Sequence, residues 1–265
     1  MELSRDRMND KKEVFMRKKY VAYFALLIIV ALLFSGCDAM ITNVYKTMNL
    51  GQPDPEKIAQ KNADVIIEES GITSGDGPSQ EYVKKIAKDD QAKKAVIEKL
   101  DEVVNSSSAT TEEKQASQAL IINIKLSSID ADIVANNVNS ALGDILATEG
   151  VKPADVIDKI FPEELSSDET KLADFVDKLA ALSGDVDKLA QIIDENDKTA
   201  AEGLDIGTIA QTAAIIKFVD IVEPAAGYTT GEAVAKAVMD LKVDPNANVS
   251  QYFGEEPDLE SLKDD

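Results

Sequence analysis

Histidine and tryptophan are missing from all 265 residues, and cysteine occurs once, as Cys37. Arginine is confined to Arg5, Arg7 and Arg17, so the chain from Cys37 onward has none. Each absence removes a chemistry. Without imidazole there is no histidine general base, no Ser-His pair and no histidine-ligated metal. With one cysteine there is no intrachain disulfide and no cysteine zinc site. Without guanidinium groups there is no bidentate clamp for carboxylate or phosphate. Asp, Glu, Lys, Ser, Thr and Tyr remain, so carboxylate chemistry and oxygen-ligated cations stay within reach.

Long apolar runs are also scarce, with one exception near the start. Arg17-Lys18-Lys19 precedes Tyr20 to Phe34, which carries no charge, and Asp38 opens a polar region. A basic stretch, a short apolar stretch and small residues at a cut describe a secretory signal. A spanning helix needs about 20 apolar residues, and this run falls short. Within it, Leu33-Phe34-Ser35-Gly36-Cys37 resembles the lipobox of bacterial lipoproteins. Phe34 departs from the usual Leu, Val or Ile. The resemblance implies cleavage between Gly36 and Cys37, a diacylglycerol thioether on Cys37 and acylation of the new amino group. It further implies a cell-envelope location, anchored to a bacterial membrane and facing the periplasm or exterior. In some diderm bacteria an Asp after the lipidated cysteine implies inner-membrane retention, a rule that is not universal, so Asp38 leaves the leaflet open. Met16, directly before the basic cluster, gives a signal of conventional size, and Met1–Phe15 then reads as an over-extended start.

The signal segment holds seven of the 28 Lys/Arg and four of the 49 Asp/Glu, so residues 37–265 carry 21 lysines against 45 acids. A field of that sign repels nucleic acid and favours solubility, cations or basic partners. With those charges set aside, the spacing of apolar residues predicts helix after helix. Pro53-Asp54-Pro55 begins one that runs to about Ser70. Gly71 to Ser79 reads as a loop, with three glycines and a proline. Ser79 to Val104 reads as a long helical region with a bend at Asp89-Asp90. Thr110 with Glu113 forms a capping box, and Ser166 with Glu169 and Thr229 with Glu232 repeat the pattern. Apolar residues from Ile129 to Leu146 recur at spacings of three and four, which match a helix. Pro153 to Phe161 reads as a short helix closed by Pro162, and Gly184 reads as the end of the helix through Leu182. Leu204 to Val222 is apolar nearly all round and is expected at the centre of the fold.

These segments predict an all-α fold: a helical bundle or irregular α-solenoid of about eight or nine helices, after a cleaved N-terminal signal helix. The expected organisation is a signal peptide at 1–36, a lipid-proximal segment at 37–53, a helical domain at 54–243 and an acidic, loosely ordered tail at 244–265.

Few motifs point to chemistry. Asp194-Glu195-Asn196-Asp197-Lys198 starts like a calcium loop, but Lys198, Thr199 and Asp205 stand where an EF-hand wants an oxygen ligand, Gly and Glu. Glu68-Glu69-Ser70-Gly71 is similar to the Glu-Ser of lytic transglycosylases, yet only eight aromatic residues follow position 37, too few for a saccharide cleft. Ser74-Gly75-Asp76-Gly77 lacks the ending of a P-loop. Lys84, Lys85, Lys88, Lys93, Lys94 and Lys99 cluster in one helical region, where Glu81, Asp89, Asp90 and Glu98 offset most of their charge. That region reads as a solvated face or as a basic patch for an acidic partner or lipid headgroups. No catalytic residue, cofactor or metal site is assigned. The expectation is a non-enzymatic, lipid-anchored scaffold or adaptor with protein partners in the envelope and no nucleic acid. A ligand-binding lipoprotein feeding a transporter is the alternative, and a carboxylate-dependent hydrolase the third reading.

Overall fold

The computed structural model describes residues 54–75, 77–131, 133–134, 137, 153–196 and 198–254. The expected signal peptide, Gly36, Cys37, the segment expected to be lipid-proximal, most of the stripe from Ile129 to Leu146, and residues 255–265 lie outside the described residues. Among the described residues the fold is all-α, with no strand and one isolated antiparallel bridge between Pro224 and Phe253. No described helix is long and apolar enough to cross a membrane. The stretch expected as one helical domain is divided between two compact units. Of the described residues, those within 54–134 and 178–217 form the N-terminal unit, and those within 137–177 and 218–254 form the C-terminal unit.

In the N-terminal unit, α1 (Pro55–Ala59) starts because Asp54 accepts from the Glu56 amide and Pro55 supplies a helical φ. The helix expected to continue to Ser70 breaks instead. The Lys99 ammonium takes the carbonyls of Ala59 (2.7 Å) and Lys61 (2.6 Å), so the end of α1 is satisfied without another turn. Asn62 is extended, and α2 (Ala63–Ser70) begins after it and ends on Gly71 at φ 73°. Next come α3 (Gln80–Lys88) and α4 (Asp90–Asn105). Asp89 closes the first and caps the second, accepting from the Gln91 (3.0 Å) and Ala92 (2.8 Å) amides. The bend expected there is this shared cap. The Thr110–Glu113 capping box then starts α5 (Thr111–Ser128).

Helix α5 is the centre of this unit. It packs against α4, α3, α2 and α9 (Ser183–Asp194). Its buried residues run from Gln115 through Ile122 and include Ile124 and Ser127. The two glutamines in this core each donate to backbone, although the Gln118 side-chain oxygen is buried without a partner among the described residues. Gln115 donates to the Thr199 carbonyl (3.0 Å) and accepts from the Ala201 amide, and Gln118 donates to the Asp185 carbonyl (3.0 Å). The segment expected at the centre forms α10 (Ile206–Asp220), on which Ile206 and Ile215 are 39 % and 37 % exposed. Hydrophobicity ranked the wrong helix first: burial follows the number of packed neighbours, and α5 has them on several sides.

The C-terminal unit contains α6 (Pro153–Ile160), α7 (Glu163–Ser166), the first part of α8 (Glu169–Ala180), the end of α10, and α11 (Thr230–Val243). Helix α6 ends before Pro162 as expected, and Pro162 then stands at the N-cap of α7. The capping box expected at Ser166 is absent: Ser166 is buried at the end of α7, its carbonyl accepts from Lys242, and the Asp168 carboxylate caps Lys171 instead. Gly184 lies inside the first turn of α9 and does not end α8. The Thr229–Glu232 box is present at the start of α11. The expected loose tail is held in place over residues 244–254. A 3-10 turn at Ser250–Tyr252 sets the Tyr252 ring edge-on to Tyr228, 5.7 Å between centroids, and its hydroxyl donates to Asp240 at 2.7 Å. The Ala225 amide donates to the Tyr252 carbonyl, and the Gly254 amide to the Glu223 carbonyl.

Candidate functional site

A groove of about 500 Å³ opens on the N-terminal unit where the start of α2, the end of α4 and the start of α5 meet. Asn62 and Asp64 come from the first turn of α2, Lys99 and Glu102 from α4, and Ser106 and Ser108 from the loop that follows. Glu113 contributes from the first turn of α5. The local reasons are distinct. Asn62 ends the break forced by Lys99, and its side chain makes no cap hydrogen bond. Ser106 and Ser108 bond each other at 2.9 Å, which holds the loop tight. Glu113 is fixed by its bond from the Thr110 amide (2.8 Å). Lys99 is spent on the α1 carbonyls. Asp64 and Glu102 are exposed carboxylates on the rim. The groove is open and polar, and its two disengaged carboxylates suit a cation or a basic side chain.

The motifs singled out in the sequence do not converge on this groove. Glu69 accepts both short bonds from Lys61 (2.5 and 2.6 Å) and a longer one from the Tyr82 hydroxyl (3.4 Å). Burial, and then the neighbouring Glu69 charge, push the Tyr82 phenol up from its ordinary range. Ser70 is fully buried, donates to the Ile67 carbonyl and accepts from the Ile72 amide. Of the Glu-Ser pair, Ser70 is thus buried in the core and Glu69 is an exposed ion-pair partner of Lys61. The Gly75 amide, in the glycine-rich loop, donates to the Gly203 carbonyl at 2.7 Å. In the Asp194–Lys198 stretch, Asn196 donates to the Thr199 carbonyl as part of a helix end, and Asp197 lies outside the described residues. Among the described residues no group of three or more His, Cys, Asp and Glu is placed to hold a metal ion.

The lysine cluster is more coherent. In α3, Tyr82, Val83, Ile86 and Ala87 are buried, and Lys84, Lys85 and Lys88 fall on the opposite side of the helical wheel, together with Glu81. In α4, Ala92, Val96, Leu100 and Val104 are buried. Lys94 lies opposite them, its side chain 77 % exposed and paired with Glu98 at 3.9 Å, and Lys93 pairs with Asp90 at 2.7 Å. No protein family, curated protein or solved structure matches the chain.

The groove residues were missed in the sequence because no single segment contains them. The one available signal was Lys99, a lysine near the inner edge of an amphipathic helix, where a partner is needed.

Proposed function

We propose that this chain is a lipid-anchored helical protein of the bacterial cell envelope, held by Cys37 and acting as a scaffold or adaptor. One observation carries the reading: the only cysteine stands directly after a charge-free segment and the run Leu33-Phe34-Ser35-Gly36. The groove on the N-terminal unit supports the adaptor part. Its exposed Asp64 and Glu102 suit a basic side chain presented by a protein partner, and its open, polar lining suits surface contact better than an enclosed apolar ligand. The membrane test is the intact mass of the mature protein extracted from bacterial membranes. Cleavage after Gly36 with a diacylglyceryl group on Cys37 is expected, and Cys37→Ala should leave the precursor uncleaved. A mature N-terminus elsewhere with a free thiol at Cys37 would sink the anchor. The adaptor test is crosslinking in intact cells, with Asp64→Lys and Glu102→Lys expected to lose the same protein partner. Unchanged crosslinks in both variants would remove the groove from this role.

A further inference from the structure

We propose that residues 250–254 are a releasable strap, seated in a slot on the C-terminal unit that accepts an extended, tyrosine-bearing segment of a partner protein. Every residue involved belongs to the C-terminal unit, so neither the anchor nor the groove is needed for it. The slot has three parts. Its floor is main chain: the Ala225 amide donates to the Tyr252 carbonyl (2.9 Å) and the Gly254 amide donates to the Glu223 carbonyl (2.9 Å), with Pro224 bridged antiparallel to Phe253. Its wall is the Tyr228 ring, which meets the Tyr252 ring edge-on, 5.7 Å between centroids. The Lys236 ammonium lies 6.0 Å from the centre of the Tyr228 ring and pairs with Glu169 at 2.8 Å, which steadies that wall. Its end is Asp240 of α11, whose carboxylate accepts from the Tyr252 hydroxyl at 2.7 Å.

Sites that add a strand read a peptide in this way: backbone bonds supply affinity and side-chain contacts supply the choice. Glu223 to Ala225 has no other bridge among the described residues, so the strap is what occupies this edge. Asp240 makes the choice, because its carboxylate finds a hydroxyl on tyrosine and none on phenylalanine. The strap is also held lightly. The turn Ser250–Tyr252 contains no buried residue, and Gln251 and Gly254 are exposed. In the link from α11, Asp244, Pro245, Asn246 and Asn248 are exposed as well, so the strap can lift without unpacking a helix. Segments with few buried contacts open ahead of the unit that carries them. While seated, the strap competes from an effective concentration on the order of millimolar, which keeps loose peptides off the edge until it is weakened.

The test uses the full chain and a fluorescein-labelled peptide of residues 248–254, followed by fluorescence polarisation. A chain carrying Tyr252→Ala and Phe253→Ala, its strap loosened, should bind the peptide at least roughly tenfold more tightly than the unaltered chain. Phenylalanine in place of the peptide's tyrosine should weaken binding to that variant roughly tenfold, the worth of a hydrogen bond to a charged group. Adding Asp240→Ala to the variant should erase this preference. Hydrogen exchange of the unaltered chain, read amide by amide by NMR, keeps the proposal testable if the variant fails to fold. The Ala225 and Gly254 amides should exchange together, at least roughly tenfold faster than the Val238 and Leu241 amides of α11. Exchange of all four at one rate overturns the proposal, because the strap then opens only with the whole unit. A folded variant that leaves the peptide unbound overturns it too. So does equal binding by the variant and the unaltered chain, which places the peptide elsewhere, or equal binding of the tyrosine and phenylalanine peptides.

Discussion

A methyl group at position 231 would press on the Ala173 carbonyl oxygen and sit 2.6 Å from the Asp177 carboxyl carbon. The glycine lets α11 approach α8 closely enough for Asp177 to accept from the Gly231 amide (2.6 Å) and the Thr229 hydroxyl (2.8 Å). Gly231→Ala should therefore cost more than a helix-propensity change, about 2–3 kcal/mol, because backbone must move to make room. Urea denaturation would show it as a lower midpoint, and an unchanged midpoint would mean that the contact is loose. Tyr82 makes a different kind of prediction. Burial raises its phenol pKa in the folded chain, so the unfolded chain loses the proton first as pH rises. The corresponding stability is complete below the unfolded value of about 10 and is lost progressively above it. Tyr82→Phe should remove that part of the alkaline fall. The measurement is the difference in melting temperature between the two proteins across pH, in which shared lysine and tyrosine effects cancel. A difference that does not vary with pH would contradict the assignment.

Helix α5 shows how an element can be central without being the most apolar. Its core position depends on Gln115, fully buried and bonded to both sides of the Thr199–Ala201 segment. Gln115→Ala strands the Ala201 amide and the Thr199 carbonyl, and a loss of about 2–3 kcal/mol is expected from equilibrium unfolding. A loss within a few tenths would mean that water replaces the side chain. Such long-range partners explain which elements were legible. The boxes at Thr110–Glu113 and Thr229–Glu232 could be read because a cap is closed within four residues. The shared cap at Asp89 was visible as a break for the same reason. Ser166–Glu169 matched the same pattern and failed, since Lys242, far away in sequence, holds the Ser166 carbonyl and Asp168 takes the cap. The split between α1 and α2 depends on Lys99, again a distant residue. The apolar periodicity that revealed each helix carries no count of its neighbours, so α10 was ranked above α5. The groove was illegible on the same ground: it is a meeting of three helix ends. In the tail, Tyr252 and Phe253 were the unread signal, two aromatic residues in an otherwise polar stretch.

At the scale of the whole chain, charge is the dominant physical property. Residues 37–265 carry 45 acids against 21 lysines, so most carboxylates have no cation available to them. Two effects then oppose each other when salt is added. Favourable pairs such as Lys94–Glu98 (3.9 Å) and Lys188–Asp101 (3.7 Å) are weakened, but exposed pairs are worth only about 0–1 kcal/mol each. Repulsion among the surplus carboxylates is weakened too, and it acts between many more partners. It also opposes the compact state more than the expanded one, because folding brings like charges closer. The Debye length falls from about 30 Å at 0.01 M to about 8 Å at 0.15 M ionic strength, enough to cover most separations across either unit. The melting temperature should therefore rise over that range at constant neutral pH. Chloride and sulfate salts compared at equal ionic strength separate this screening from the exclusion effect that sulfate adds. A rise common to both salts is the expected result. A fall in chloride would show that the ion pairs outweigh the surplus, and that the acidic surface is better matched by its own lysines than its composition implies.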